Sequence, residues 1–183
     1  MARKSFVELS NDLLTSFPDN IAGAITPLVL RTYFQNFLDA IRPAYGLISR
    51  TAPVVQTFGL TDAPVVFDTG VVSGVPDYTV TQATGTITRL AAGSTRLTFS
   101  ASAEGANGRL VSFTLYKNGT PTSWRTSATL QGAGKPVDTT LVAAIYEGSQ
   151  AIYQLQAKTD VASTGVTLSN MDMLAETVPV NSY

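Results

Sequence analysis

The sequence holds no cysteine and no histidine. Without cysteine there can be no disulfide, no thiolate metal site and no thiol nucleophile. Without histidine the commonest general base and the commonest metal ligand are missing. Neither a Ser-His-Asp hydrolase nor a His-ligated zinc enzyme can be assembled from such a chain. Charge is scarce as well: Asp, Glu, Lys and Arg make up 14 % of the 183 residues, well below the roughly 25 % of soluble domains. A formal net charge of −1 offers no footprint for nucleic acid or an anionic membrane. No apolar run approaches the roughly 20 residues of a membrane span. Arg3 and Lys4 precede an amphipathic, polar-interrupted stretch rather than a signal-peptide core. The expectation is a soluble, cytoplasmically made, non-enzymatic chain with no cofactor, no metal and no membrane insertion.

Thr, Ser, Gly, Ala and Val take the place of the missing charges, and hydrophobic residues reach 44 %. That suffices for a real core and argues against global disorder. A surface made neutral by hydroxyls is common where subunits pack on neighbours. Two textures divide the chain. Residues 1–50 show helical periodicity, and the rest show strand periodicity broken by Gly, Asn and Pro.

In the first region Phe6, Leu9, Leu13 and Phe17 recur three or four apart, the spacing of one helical face. Phe17-Pro18-Asp19-Asn20 breaks that helix, because a proline pushes the residue before it out of helical geometry. Thr26-Pro27 opens a second helix, with Thr26 as N-cap and Pro27 at the first helical position. Leu30, Tyr33, Phe34, Phe37, Leu38 and Ile41 form its apolar stripe, and Arg42-Pro43 ends it. Two short helices with such faces need a partner: their own sandwich, another protein, or copies of themselves.

Residues 44–63 read as a connector. Short β-like runs follow at Val65–Asp68, Tyr78–Gln82, Thr86–Leu90, Arg96–Ala103, Arg109–Lys117, Ser123–Leu130, Val137–Tyr146, Ala151–Lys158 and Val166–Leu174. Short strands at this spacing point to an antiparallel sandwich or barrel. Asn118-Gly119 is the strongest hairpin signal, since both residues tolerate positive φ. Leu97, Phe99 and Ala101 alternate with polar residues, as do Val111, Phe113 and Leu115, which assigns both sets to the core. Leu141-Val142-Ala143-Ala144-Ile145-Tyr146 is apolar on both faces. A strand of that kind is covered on both sides. One side is the core, and the other is read as a subunit interface carried by Tyr116, Val142, Ala144, Tyr146 and Ile152.

Residues Thr98–Gly105, the Val111–Gly119 strand with its "LYKNG" turn, "GSQAIYQL" at Gly148–Leu155 and the closing Thr167–Met171 run resemble the C1q/TNF-like jelly-roll domains of phage fibre and head-surface proteins. The likeness spans about residues 60–180. It implies a mainly β, antiparallel jelly-roll sandwich of ten strands and a homotrimer. The segment "FPDNIAGAITPLVLRTYFQNFLDAI", residues 17–41, resembles one that recurs near the start of phage virion proteins. That likeness implies a short two-helix attachment segment (residues 1–50) ahead of a trimerisation sandwich (residues 51–183). It carries attachment to Phe17, Pro18, Ile25, Pro27, Phe34 and Phe37. The shaft of a long fibre is missing, which favours a compact decoration, collar or head-spike subunit in the virion. Partners would be sister copies and other phage virion proteins of the capsid, portal, collar or tail. The alternative is a receptor- or carbohydrate-binding fibre tip, whose partner would be a host surface receptor.

Phe67-Asp68-Thr69-Gly70 resembles the aspartic-protease signature, but that chemistry needs two carboxylates sharing a proton, and one copy would need a homodimer. Gly132-Ala133-Gly134-Lys135-Pro136 resembles a phosphate loop, yet Pro136 stands where Ser or Thr is required. Asn118-Gly119-Thr120 fits the glycosylation pattern but is better explained as a turn. Asp138, Asp160, Asp172 and Glu176 could supply oxygen to calcium on a trimer axis, without EF-hand spacing. Trp124 and Tyr153 could form a sugar platform, although core or interface placement suits them better.

Overall fold

The computed structural model describes residue 11 and residues 27–41, 44–73 and 77–178. Among them lie one long helix and twelve strands. Helix α1 is Pro27–Ile41. The strands are β1 (Tyr45–Arg50), β2 (Val54–Phe58), β3 (Ala63–Pro64), β4 (Thr69–Val72), β5 (Tyr78–Thr81), β6 (Thr86–Arg89), β7 (Gly93–Gly105), β8 (Leu110–Lys117), β9 (Thr120–Thr129), β10 (Val137–Glu147), β11 (Ala151–Thr159) and β12 (Thr164–Val178). They form two six-stranded sheets in which every pairing is antiparallel. The front sheet runs β10-β7-β12-β1-β4, with β2 beside the first half of β12. The back sheet runs β5-β6-β11-β8-β9, with β3 beside β11.

The mainly β, antiparallel, jelly-roll-like sandwich matches the sequence expectation; several details do not. The two-helix segment is not what is seen: α1 is the second of the two expected helices, and the first falls outside the described residues except at Asn11. The connector expected over residues 44–63 contains β1, β2 and the start of β3. Because β1 pairs with both β12 and β4, the sandwich begins ahead of the 50/51 boundary. The Val65–Asp68 run is not a ladder strand but a crossover. The Val65 amide donates to Leu155 O of the back sheet, and the Asp68 amide donates to Ser49 O of the front sheet. Val65 and Phe67 fill the space between the sheets as the chain passes, so their alternation reported burial, not pairing.

The core forms where the alternating runs face each other. Leu97, Phe99 and Ala101 of β7 and Val111, Phe113 and Leu115 of β8 are all buried. The Phe99 and Phe113 rings meet across the sheets at 5.1 Å between centroids, within the range of favourable aromatic pairs. At Asn118-Gly119 the φ angles are 50° and 76°, the left-handed pair that a two-residue hairpin requires. Strand β12 serves two partners on one side because pairing with β7 shifts between Ser169 and Asp172. Asn170 takes φ 48° at that bulge, and β2 flanks the strand before it while β1 flanks it after.

One end of the sandwich is plugged by buried polar groups. Arg89, 2 % exposed, donates to Ala91 O, Ala92 O and the Thr95 hydroxyl, and lies over the Tyr78 ring. Nearby, the fully buried Tyr153 hydroxyl donates to Glu147 Oε1 at 3.0 Å, while Glu147 Oε2 pairs with Lys117 Nζ at 2.9 Å. Burial pushes the Tyr153 hydroxyl well above the ordinary tyrosine range; a Thr95 hydrogen bond opposes this, and the Glu147 charge adds to it. The folded state therefore keeps a proton that the unfolded chain releases near pH 10. This contribution is complete below that pH and is lost as pH rises above it. Thermal melts from pH 8 to 11 should show stability declining on the alkaline side, and Tyr153→Phe should flatten that decline.

Candidate functional site

Register places the outward side chains of the front sheet in rows. Val142 of β10 sits opposite Thr98 of β7, Thr98 opposite Leu174 of β12, Leu174 opposite Leu47 of β1, and Leu47 opposite Val71 of β4. One uncharged row thus crosses five strands. Its ends are open to solvent, with Val142 at 61 % and Val71 at 52 % exposure; its middle members are half-buried. The next row holds Ala144, Arg96, Glu176 and Tyr45. There the Arg96 guanidinium and the Glu176 carboxylate pair with each other, so the row presents little net charge. Beyond it Tyr146 and Val178 flank Ser94, and Tyr146 is 69 % exposed. On the other side come Thr140, Ser100, Asp172, Ser49 and Thr69. There Ser49 and Thr69 bond to each other, and in the row beyond Ser102 donates to Asp138.

The outward face of the back sheet is different. Thr79, Thr88, Gln154, Gln156, Thr114 and Arg125 dominate it. Isolated exposed hydrophobics are ordinary, but an uncharged row with solvent-open valines at both ends, on one face only, makes that face the candidate docking surface.

Of the expected interface residues, Val142, Ala144 and Tyr146 stand outward on β10, at the edge of the front sheet. Tyr116 and Ile152 belong to the back sheet instead. The five therefore do not form one patch, because β8 and β11 lie in the layer behind. Tyr116 is moreover tied within its own chain: its hydroxyl donates to Asp62 Oδ2 at 2.8 Å. That bond, with burial and the Asp62 charge, raises its pKa. The sequence reading missed Leu47, Val71 and Leu174. The signal was present: Met173-Leu174-Ala175 is apolar on both faces, like the stretch in β10, and Val71-Val72 ends a short run.

Of the expected attachment residues, Phe17, Pro18 and Ile25 lie outside the described residues. Pro27 opens α1. Phe34 and Phe37 project from it at 55 % and 37 % exposure, with Leu28 and Leu30 also exposed, so the sandwich does not cover this face.

No protein-family model matches this chain, and no curated protein matches it. Among solved structures it is similar to mouse APRIL, of the TNF family, with a TM-score of 0.54 and 8 % identity, covering 75 % of this chain and 100 % of that one. It is also similar to the globular domain of zebrafish complement 1qA, with a TM-score of 0.48 and 15 % identity, covering 76 % of this chain and 98 % of that one. The APRIL likeness shows the fold, a TNF-type jelly roll, as the sequence resemblance implied.

The remaining candidates dissolve into structure. Gly70 of the protease-like Phe67-Asp68-Thr69-Gly70 is a packing residue: a Cβ there would lie 2.7 Å from Val80. Asp68 stands 3.8 Å from Arg50 in an ion pair. Gly132–Pro136 is a loop between β9 and β10. Tyr153 is fully buried and Trp124 packs on the core, so no platform for sugar exists between them. Within one chain, and among the described residues, no three of Asp138, Asp160, Asp172 and Glu176 cluster as metal ligands; calcium on a trimer axis would draw its ligands from several copies instead.

Proposed function

We propose that this chain is a non-enzymatic structural subunit that works as a homotrimer, built into a phage virion as an appendage or decoration protein. The supporting observation is the uncharged row from Val142 to Val71, open to solvent on one sheet and without counterpart on the other. Because the row reaches the edge strand β10, the edge of one copy can meet the face of the next. Such head-to-tail contacts form a ring when the rotation from copy to copy closes. A count of three is what the C1q/TNF-like resemblance implies. The virion role rests on the resemblance of residues 17–41 to virion N-termini. Attachment to head, collar or tail is assigned to the N-terminal segment.

Light scattering of the whole protein at micromolar concentration tests the assembly. The expected mass is three times the 19.3 kDa of one chain. A stable single-chain mass would remove the basis for the reading.

A further inference from the structure

Helix α1 carries a second contact surface. Leu30, Phe34 and Phe37 are exposed and separated by four and three residues, and the same alternation runs back to Pro27 and on to Ile41 in sequence. A three-four alternation is the seam of a coiled coil, in which two positions per heptad meet a neighbouring helix. Away from the seam, Thr32, Gln35, Asn36 and Asp39 are polar in sequence, while Leu28 is apolar and exposed. The only charges on the helix, Arg31 and Asp39, fall off the seam. Identical helices laid side by side in register would therefore bring no like charges together at their contact.

We infer that α1 packs, parallel and in register, against the same helix of sister chains, forming a three-stranded neck. This rests on the homotrimer reading and deepens it. Two arguments select a sister copy as the occupant. The first is continuity. Only three residues separate Ile41 from Tyr45, the first residue of β1, and they span at most about 11 Å. Tyr45 and Leu47 already face outward on the front sheet, next to and within its apolar row. Chains that meet through that face deliver their helices to one another. The second is length. A helix of 15 residues is marginal alone in water and offers only about two heptads. Tethering to an assembled sandwich raises its local concentration to roughly the millimolar range, where so short a seam closes. Phe34 and Phe37 then face sister helices rather than the particle.

The cysteine-free chain allows a direct test with single-cysteine variants of the full protein. Phe37→Cys places a thiol on the seam, and Gln35→Cys places one on the far side. Under mild oxidation with diamide, Phe37→Cys should form covalent dimers up to about two-thirds of chains, because a threefold seam leaves one thiol in three without a mate. Gln35→Cys should stay unlinked. Leu30→Cys is the second seam position and should behave as Phe37→Cys does, which guards against a local disturbance at Phe37. If both seam variants link no faster than Gln35→Cys while light scattering still reports a trimer, the neck is refuted and the trimer stands. If the proteins run as single chains and none links, both readings fall.

Discussion

Phe113→Ala should cost about 3–5 kcal/mol of folding stability, the range for removing a buried aromatic side chain. Phe113 is fully buried on β8 and meets Phe99 of β7 at 5.1 Å, so it joins the two sheets at mid-core. Truncation to Ala removes both its transfer from water and the ring contact, and it leaves a cavity between layers that the rigid ladders on either side cannot close. Urea unfolding of the purified variant measures the loss directly. The midpoint should fall with little change in slope, because the same surface is still exposed on unfolding. A midpoint within error of the parent would mean that Phe113 does not sit in the core against Phe99 of the facing sheet.

Val142→Asp should leave the fold intact and separate the subunits. The side chain is 61 % exposed in the single chain, and a solvent-facing edge-strand position tolerates the change at about 1 kcal/mol or less. In the assembly the same position is covered, and an unpaired carboxylate there costs about 3 kcal/mol or more. That is roughly a hundredfold in affinity at every contact. Sedimentation across a concentration series should show single chains where the parent stays assembled, with melting of the sandwich nearly unchanged. A variant that keeps the parental mass would exclude the Val142 row from the contact.

What the sequence disclosed was whatever obeys a period. The β7 and β8 alternations, the Asn118-Gly119 turn and the helix from Pro27 follow from local rules, and the structure shows each. The two-faced β10 run likewise pointed to an outward apolar edge. What stayed hidden depends on which strand lies beside which. Tyr116 and Ile152 alternate correctly, yet only the sheet order shows that they face away from Val142 and Tyr146. Leu47, Val71 and Leu174 come from three distant segments, and only the β1–β12 and β1–β4 pairings make them one row. The buried Arg89 and Glu147 run against the rule that charges stay outside. Their burial becomes intelligible once backbone carbonyls, Thr95, Lys117 and Tyr153 are seen to satisfy them.

The front sheet joins residues that are far apart along the chain: Tyr45 lies opposite Glu176, and Arg50 opposite Met171. Until β12 arrives, the β7–β10 ribbon and the β1–β4 ribbon have nothing between them and no common ladder. Pairings across such separations slow folding, because loop entropy must be lost before any contact compensates. The two ribbons expose apolar faces meanwhile, which makes the incomplete chain vulnerable to aggregation. The outward row is completed by the same step, since Leu174 stands at its centre and is placed only when β12 fills the last gap in the sheet. In the proposed trimer a half-made subunit would therefore have no finished face to offer, and the order in which the chain closes would keep faulty copies out.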